Sequence, residues 1–254
     1  MGMDIRQIST RAPDGLQKQV IKDKTKQLAD EMRELATMMY ANKTKSLLVV
    51  LQGMDSSGKD GVSKAVFSKV SPTIVSAYSF KKPSEEEFAH DFLWRVHKQA
   101  PRKGEIKLFV RSHYEDILIQ RVHNWIDEKR VRVRMDAINA FEKLLQEDND
   151  TIVMKFFLHL SKERQKEKLL ERIEEQNKNY KHNDNDWQER KHWDKYMSAY
   201  QDAIDRSDIP WHIVPSDQPW YRNYFVAEKV VERLLSLDML FPPLEEEPKI
   251  DLNV

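Results

Sequence analysis

Two hydrophobic rhythms alternate along this chain. From about Leu16 to Tyr40, apolar residues at Leu16, Val20, Leu28, Met32, Leu35 and Met39 recur among charges, which predicts an amphipathic helix. Leu47–Gln52 is an unbroken apolar run, as expected of a strand buried on both faces. A helix to about Val70 follows and ends before Pro72. The same alternation continues with strands expected at Ile74–Phe80, Glu105–Val110, Thr151–Leu160 and Trp211–Val214. Helices are expected from Ser84 to about Lys98, from about Ser112, and over Arg134–Glu147, Ser161–Gln176, Trp187–Arg206 and Tyr221–Leu237. Ser84 followed by Glu87 has the spacing of a capping box. Residues 1–14 are polar and expected to be poorly ordered. Asn177–Asp186 has no apolar period and is expected to be a mobile loop.

Strands alternating with helices imply a parallel sheet with helices on both faces. The expected fold class is therefore α/β: a three-layer αβα sandwich around a central parallel sheet, with a helical lid. The expected organisation is an N-terminal helical extension over 1–40, a main α/β domain over 41–240 with its lid at about 161–190, and a tail over 241–254. In such sheets ligands bind beyond the carboxyl ends of the strands. The segments after Gln52, Phe80, Val110 and Leu160 should therefore meet at one edge.

The turn after the first strand changes the picture most. Gly53-Met54-Asp55-Ser56-Ser57-Gly58-Lys59-Asp60 has the G-x-x-x-x-G-K spacing of a phosphate-binding P-loop, with Asp60 in the usual Ser/Thr place. The backbone of such a loop, here Gly53, Ser56, Ser57 and Gly58, aims N–H groups at phosphate oxygens. Of only 6 glycines in the chain, Gly53, Gly58 and Gly61 lie in or beside this loop. Lys59 adds a mobile charge. Asp55 and Asp60 would repel phosphates unless a cation stood between them, which suggests Mg²⁺ held by both. Asp55 could instead orient an attacking oxygen.

Composition sets the outer limits. The 254 residues carry 42 basic and 42 acidic side chains, so no global field favours nucleic acid or an anionic membrane. With 0 cysteines, disulfides, thiolate metal sites and a Cys nucleophile are excluded. No apolar run approaches the ~20 residues of a membrane span, and a soluble cytoplasmic protein is expected. Anion attraction must then come from local clusters. Lys59, Lys64, Lys81, Arg111, Arg121, Arg172 and Lys181 could line a trench for a long polyanion, with Lys82 nearby. Lys162, Arg164, Lys166 and Lys168 lie on the lid helix. There the plainer reading is a solvated face paired with Glu163, Glu167 and Glu171. Glu115 could bind a ligand or cap a helix. His113 and His123 are expected to be structural, and Trp94, Trp125, Trp187 and Trp193 are expected in the core.

The stretches LLVVLQGMDSSGKDG, SFKKPSEEE, HDFLWR, GEIKLFVRSHYEDILIQRVH, IVMKFFLHLSKERQ, ERKHWDKYMSAYQDAI and PWHIVPSDQPWYRN occur in this order over about residues 40–240. Together they resemble the family-2 polyphosphate kinases, most closely the branch acting on both nucleoside mono- and diphosphates. The resemblance implies inorganic polyphosphate as donor, AMP or ADP as acceptor (with guanine nucleotides as alternatives), Mg²⁺, and a homodimer or homotetramer. By position it implies catalytic roles for Asp55, Lys59 and Arg111, with Asp60 beside them at the metal. It places Lys81, Arg121, Arg172 and Lys181 on phosphates, Lys64 along the polyanion, and Glu115 at the nucleotide. Val110 departs from the family pattern, which has Asn or Asp there. Lys168 stands where relatives often have Arg. Two other readings stay open: an ATP-dependent nucleoside monophosphate kinase, and a polyphosphate- or nucleotide-binding protein with impaired turnover.

Overall fold

The computed structural model describes residues 4–244. These form a five-stranded parallel sheet in the order β2-β3-β1-β4-β5, built from β1 (Ser46–Gln52), β2 (Val75–Tyr78), β3 (Ile106–Val110), β4 (Thr151–His159) and β5 (Trp211–Pro215). β1 is central, with β3 on one side and β4 on the other. Its apolar run has a direct cause: all 7 residues are buried because both faces are covered. Leu47, Val49 and Leu51 point into one core, while Leu48 and Val50 point into the other. Each such side chain contributes about 1.5–3 kcal/mol when fully buried.

One face is covered by α1 (Lys18–Asn42), α2 (Lys59–Phe67) and α10 (Pro219–Leu235). The other is covered by α5 (Glu115–Val122), α6 (Glu128–Asn149) and α9 (Trp193–Asp205). The short helices α3 (Glu85–Ala89) and α4 (Trp94–His97) connect β2 to β3, and α7 (Lys162–Glu174) and α8 (Asp184–Glu189) precede α9. The capping box at Ser84 and Glu87 is present.

Several expectations need correction. Of residues 1–14, expected to be poorly ordered, 1–3 lie outside the described residues, while Ile5 is buried and its N–H donates to Gln201 Oε1 at 2.7 Å, which docks the segment around it. The expected Ser84–Lys98 helix is broken: α3 ends at Ala89, and Asp91 then turns the chain through its side-chain bond to the Leu93 N–H. α6 begins at Glu128, ahead of Arg134, because Asp127 caps it by accepting from the Arg130 N–H at 2.7 Å. Asn177–Asp186 is built from short turns: a 3₁₀ helix over Gln176–Lys181, then the start of α8. The expected Trp187–Arg206 helix is divided by 3₁₀ turns at Arg190–His192. Trp125 lies outside the helices in a turn and is 65% exposed, stacked against His123. Of the tail, Phe241–Leu244 are exposed, and the rest lies outside the described residues.

Candidate active site at the carboxyl edge of the sheet

The parallel sheet brings the ends of β1, β2, β3 and β4 to one edge. A cavity of about 520 Å³ opens there. The loop after β1 forms its floor. Gly58 has φ +94°, and a Cβ on it would come within 1.9 Å of Arg222 Nη1, so a side chain there would strain the backbone and displace the Arg222 guanidinium. A Cβ on Gly53 would come within 2.7 Å of the Leu158 carbonyl. Ser56 adopts φ +66°, and its buried hydroxyl has no hydrogen-bond partner. α2 starts at Lys59, and its first-turn N–H groups have no intrahelical acceptor. The loop is thus shaped as a concave row of donors for an anion.

Lys59 lines the cavity with its side chain folded back over this loop. Its Nζ donates to Gly53 O at 2.7 Å and Met54 O at 3.2 Å. Burial pulls its pKa down, and Asp55 opposes that pull. Asp55 itself is pushed up by burial, but Lys59 and Arg111 outweigh this and hold its carboxyl below its ordinary range. Arg111 leaves β3 with φ +66° and donates to Asp55 Oδ1 at 2.6 Å. Glu115, one turn along, is raised by burial despite Arg111 and Lys59, and Asp55 raises it further. Two carboxylates, one lysine and one arginine are therefore crowded into one partly dehydrated space.

The charged hairpin after β4 closes one side. Arg172 pairs with Asp186 and donates to the Lys181 carbonyl at 3.0 Å. Lys168 and Lys178 both pair with Glu171, at 2.8 and 2.9 Å. Lys181 lies 3.9 Å from Asp60 across the cavity mouth. Exposed pairs of this kind are worth only about 0–1 kcal/mol, so a polyanion could displace the glutamates. Gln165 ties the base of the hairpin to the loop by donating to Asp55 O at 3.1 Å, and is itself held by Arg190 at 2.8 Å.

Not every expected cation gathers here. Asp55, Ser56, Gly58, Lys59, Asp60, Arg111, Arg172 and Lys181 line the cavity. Lys64 points outward from α2. Arg121 is tied to Glu128 at 2.7 Å and Asp202 at 2.8 Å, away from the trench. Lys81 lines a second cavity, of about 1050 Å³, with Phe80, Phe88, Phe92, Trp125, Val133, Arg111 and Glu115. His113 is fully buried against Glu142, in keeping with a structural role. Val110 lies at the cavity wall and offers no ligand atom.

Arg222 was not singled out from the sequence. It is 6% exposed, donates to the Ser57 carbonyl at 2.9 Å beneath the loop, and faces no carboxylate within ion-pair distance among the described residues. The stretch PWYRN contained it, but an arginine in an amphipathic helix ordinarily reads as surface.

Among the described residues no group of three or more His, Asp or Glu side chains is arranged to hold a metal. The donors present still suit a hard cation. Asp55 and Glu115 repel one another, and Ser56 Oγ and Gln52 Oε1 are buried oxygens without partners. Mg²⁺ commonly takes one or two carboxylates and completes its shell with water and substrate phosphates.

A nucleotide-phosphate loop at the central strand of a parallel sheet, an arginine at the neighbouring strand end and a charged hairpin above them define a P-loop phosphotransferase. The model of the polyphosphate kinase 2 family matches residues 15–239. An AMP/ADP-polyphosphate phosphotransferase from Meiothermus ruber is 42% identical over 217 residues, covering 84% of this chain and 81% of that protein. An ADP-polyphosphate phosphotransferase from Rhodopseudomonas palustris is 37% identical over 228 residues, covering 84% and 78%. The crystal structure of polyphosphate kinase 2 from Arthrobacter aurescens TC1 superposes with a TM-score of 0.93 at 34% identity, covering 97% of this chain and 90% of that one. The chain belongs to the polyphosphate kinase 2 family.

Proposed function

We propose that this protein transfers a phosphoryl group from inorganic polyphosphate to AMP or ADP. The observation that carries the reading is the position of Arg111, which lines both the cationic cavity over the loop and the larger aromatic-lined cavity. The first suits a condensed phosphate chain. The second combines apolar walls from Phe80, Phe88, Phe92 and Val133 with charged groups such as Lys81, Arg95 and Arg134, the mixture a small polar molecule with an apolar body needs. It suits a nucleoside whose phosphate reaches back to Arg111.

The reaction asks for positioning and charge neutralisation more than covalent chemistry. The loop N–H groups and Lys59 hold the terminal phosphate of the donor. Arg111 bridges donor and acceptor, because its planar fork can engage two oxygens at once. Asp55 aligns Arg111 through their 2.6 Å bond. The hairpin carrying Arg172 and Lys181 closes as a lid and excludes water. Asp55, with Glu115 or Asp60, would hold Mg²⁺, which supplies neutralisation of charge on the phosphate oxygens.

Incubation with AMP, ADP, GMP or GDP, each with either polyphosphate or ATP as sole donor, tests the reading. Products separated by chromatography should show ADP and ATP formed from polyphosphate. Formation of ADP only when ATP is the donor would instead identify a nucleoside monophosphate kinase. Val110 is the observation favouring a weaker catalyst, since it puts a non-ligating side chain at the end of β3. Val110→Asn should then raise turnover, and no detectable turnover in either form would favour the binding-protein reading.

A further inference from the structure

Another space adjoins the cationic cavity at Pro219. It is a hollow of about 600 Å³ on the outer side of α1, α2 and the first turn of α10, and Pro219 lines both spaces. Lys18, Lys22 and Lys26 enter it from α1 at i, i+4 and i+8, one above another on a single helix face. Lys69 faces them. Lys26 pairs with Asp23 at 2.9 Å and Lys69 with Asp30 at 2.6 Å, both at the surface. Lys18 and Lys22 form no ion pair among the described residues. α1 also has no acidic residue in its first turn and no side-chain cap, so lysines occupy the end of the helix where they stabilise it least.

Beside the shared Pro219, Arg222 lines the loop cavity and its neighbour Asn223 lines the hollow. The Arg222 guanidinium donates to Ser57 O under the loop and to Asn223 Oδ1, at 3.0 Å from Nη2, on the side of the outer hollow. Burial alone pulls its pKa down to about 10, with no carboxylate to offset the cost. A dehydrated cation without a partner is expensive unless an anion arrives.

We infer that Pro219 and Arg222 join the loop cavity and the lysine-lined hollow into one track, and that the hollow holds the distal segment of a long linear polyphosphate. The inference rests on polyphosphate being the donor. A linear polyphosphate repeats negative charge along its length, and mobile lysine stems can follow it without a fixed geometry. A short donor fills only the loop cavity. A long one also reaches α1, so the hollow sets chain-length preference.

The test is equilibrium binding of long-chain polyphosphate and of tripolyphosphate to the full chain and to its Lys18→Ala/Lys22→Ala/Lys26→Ala variant. Circular dichroism and melting verify the fold. The ratio of long-chain to tripolyphosphate affinity should fall about tenfold, as three exposed charge contacts would give. The slope of log affinity against log salt for the long chain should shrink by about 2–3. An unchanged ratio, or equal losses for both ligands, overturns the track. Because binding is read directly, it is separable from turnover. If the unmodified chain binds both ligands and transfers phosphate from neither, the functional reading fails and the binding ratio still judges the track.

Discussion

Two buried cations in this molecule show opposite solutions to the same physical problem. Lys155, in the middle of β4, is fully buried on the face that also carries Val153 and Phe157. Its Nζ donates to Glu142 Oε2 at 2.6 Å and to the Tyr114 hydroxyl at 2.7 Å. Glu142 also accepts from Tyr114 at 3.1 Å and lies 3.2 Å from His113 Nε2. Every charge there has an internal partner. Arg222 is nearly as buried but meets only carbonyl oxygens. The first arrangement is complete and has no opening for a ligand. The second is incomplete and lines a cavity. Burial alone therefore does not distinguish the two; burial without a counter-charge, beside open space, leaves Arg222 able to meet an anion where Lys155 cannot.

The closed network also supports the open site. His113 and Tyr114 lie between Arg111 and Glu115 in the chain, so Glu142 and Lys155 pin the turn that presents both. Glu142→Gln should give the largest effect. It strands Lys155 without a counter-charge, and breaking such a buried pair costs about 3–5 kcal/mol, readable in urea unfolding. Little change would show that the network is not holding the turn.

Asp55→Asn should cost some stability, because Lys59 and Arg111 lose a counter-charge, but the larger loss should be in kcat, by roughly 10²–10³, the size expected when an electrostatic positioning group is lost. Steady-state assays with polyphosphate and ADP would show it. Equal loss of stability and activity would make Asp55 merely structural. Arg222→Met keeps much of the volume and removes the charge. It should raise the donor KM about 10–100-fold, the value of a charge-assisted contact, while urea unfolding shows no loss of stability. A destabilised protein with normal donor KM would erase the contrast with Lys155.

Glu115→Gln should have the smallest effect, and its pH dependence carries the information. Burial raises the folded-state pKa of Glu115. Its stabilising contribution is therefore present below the ordinary carboxylate pKa and is lost as pH rises through the raised value. The Gln variant should melt slightly higher than the unmodified protein near neutral pH, and the advantage should vanish in acid. An advantage that persists unchanged in acid would show that Glu115 ionisation is not its source.

Much of the framework was legible because it depends on local pattern. The Leu47–Gln52 run, the glycine spacing after it and the Ser84/Glu87 cap each carry their cause within a few residues. What was not legible came from distance along the chain. The burial of Arg222 follows from α10 packing under a loop 165 residues away. Arg121 looked like a phosphate ligand until Asp202, from α9, took up its guanidinium. The α6 start was hidden by dense charges in EKRVRVR, although Asp127 in capping position could have shown it. The Asn177–Asp186 segment lacks apolar period because it is built of short capped turns, which a periodicity argument cannot see.

The central claim is that an anion is held by the loop between β1 and α2, gripped by Lys59. Melting of the metal-free protein with and without saturating tripolyphosphate tests it most directly, beside the Lys59→Ala variant. At 100 times Kd a ligand adds about 2.7 kcal/mol to stability. The account expects a clear upward shift in the unmodified protein and its near disappearance in Lys59→Ala; an equal shift in both would place the anion somewhere else.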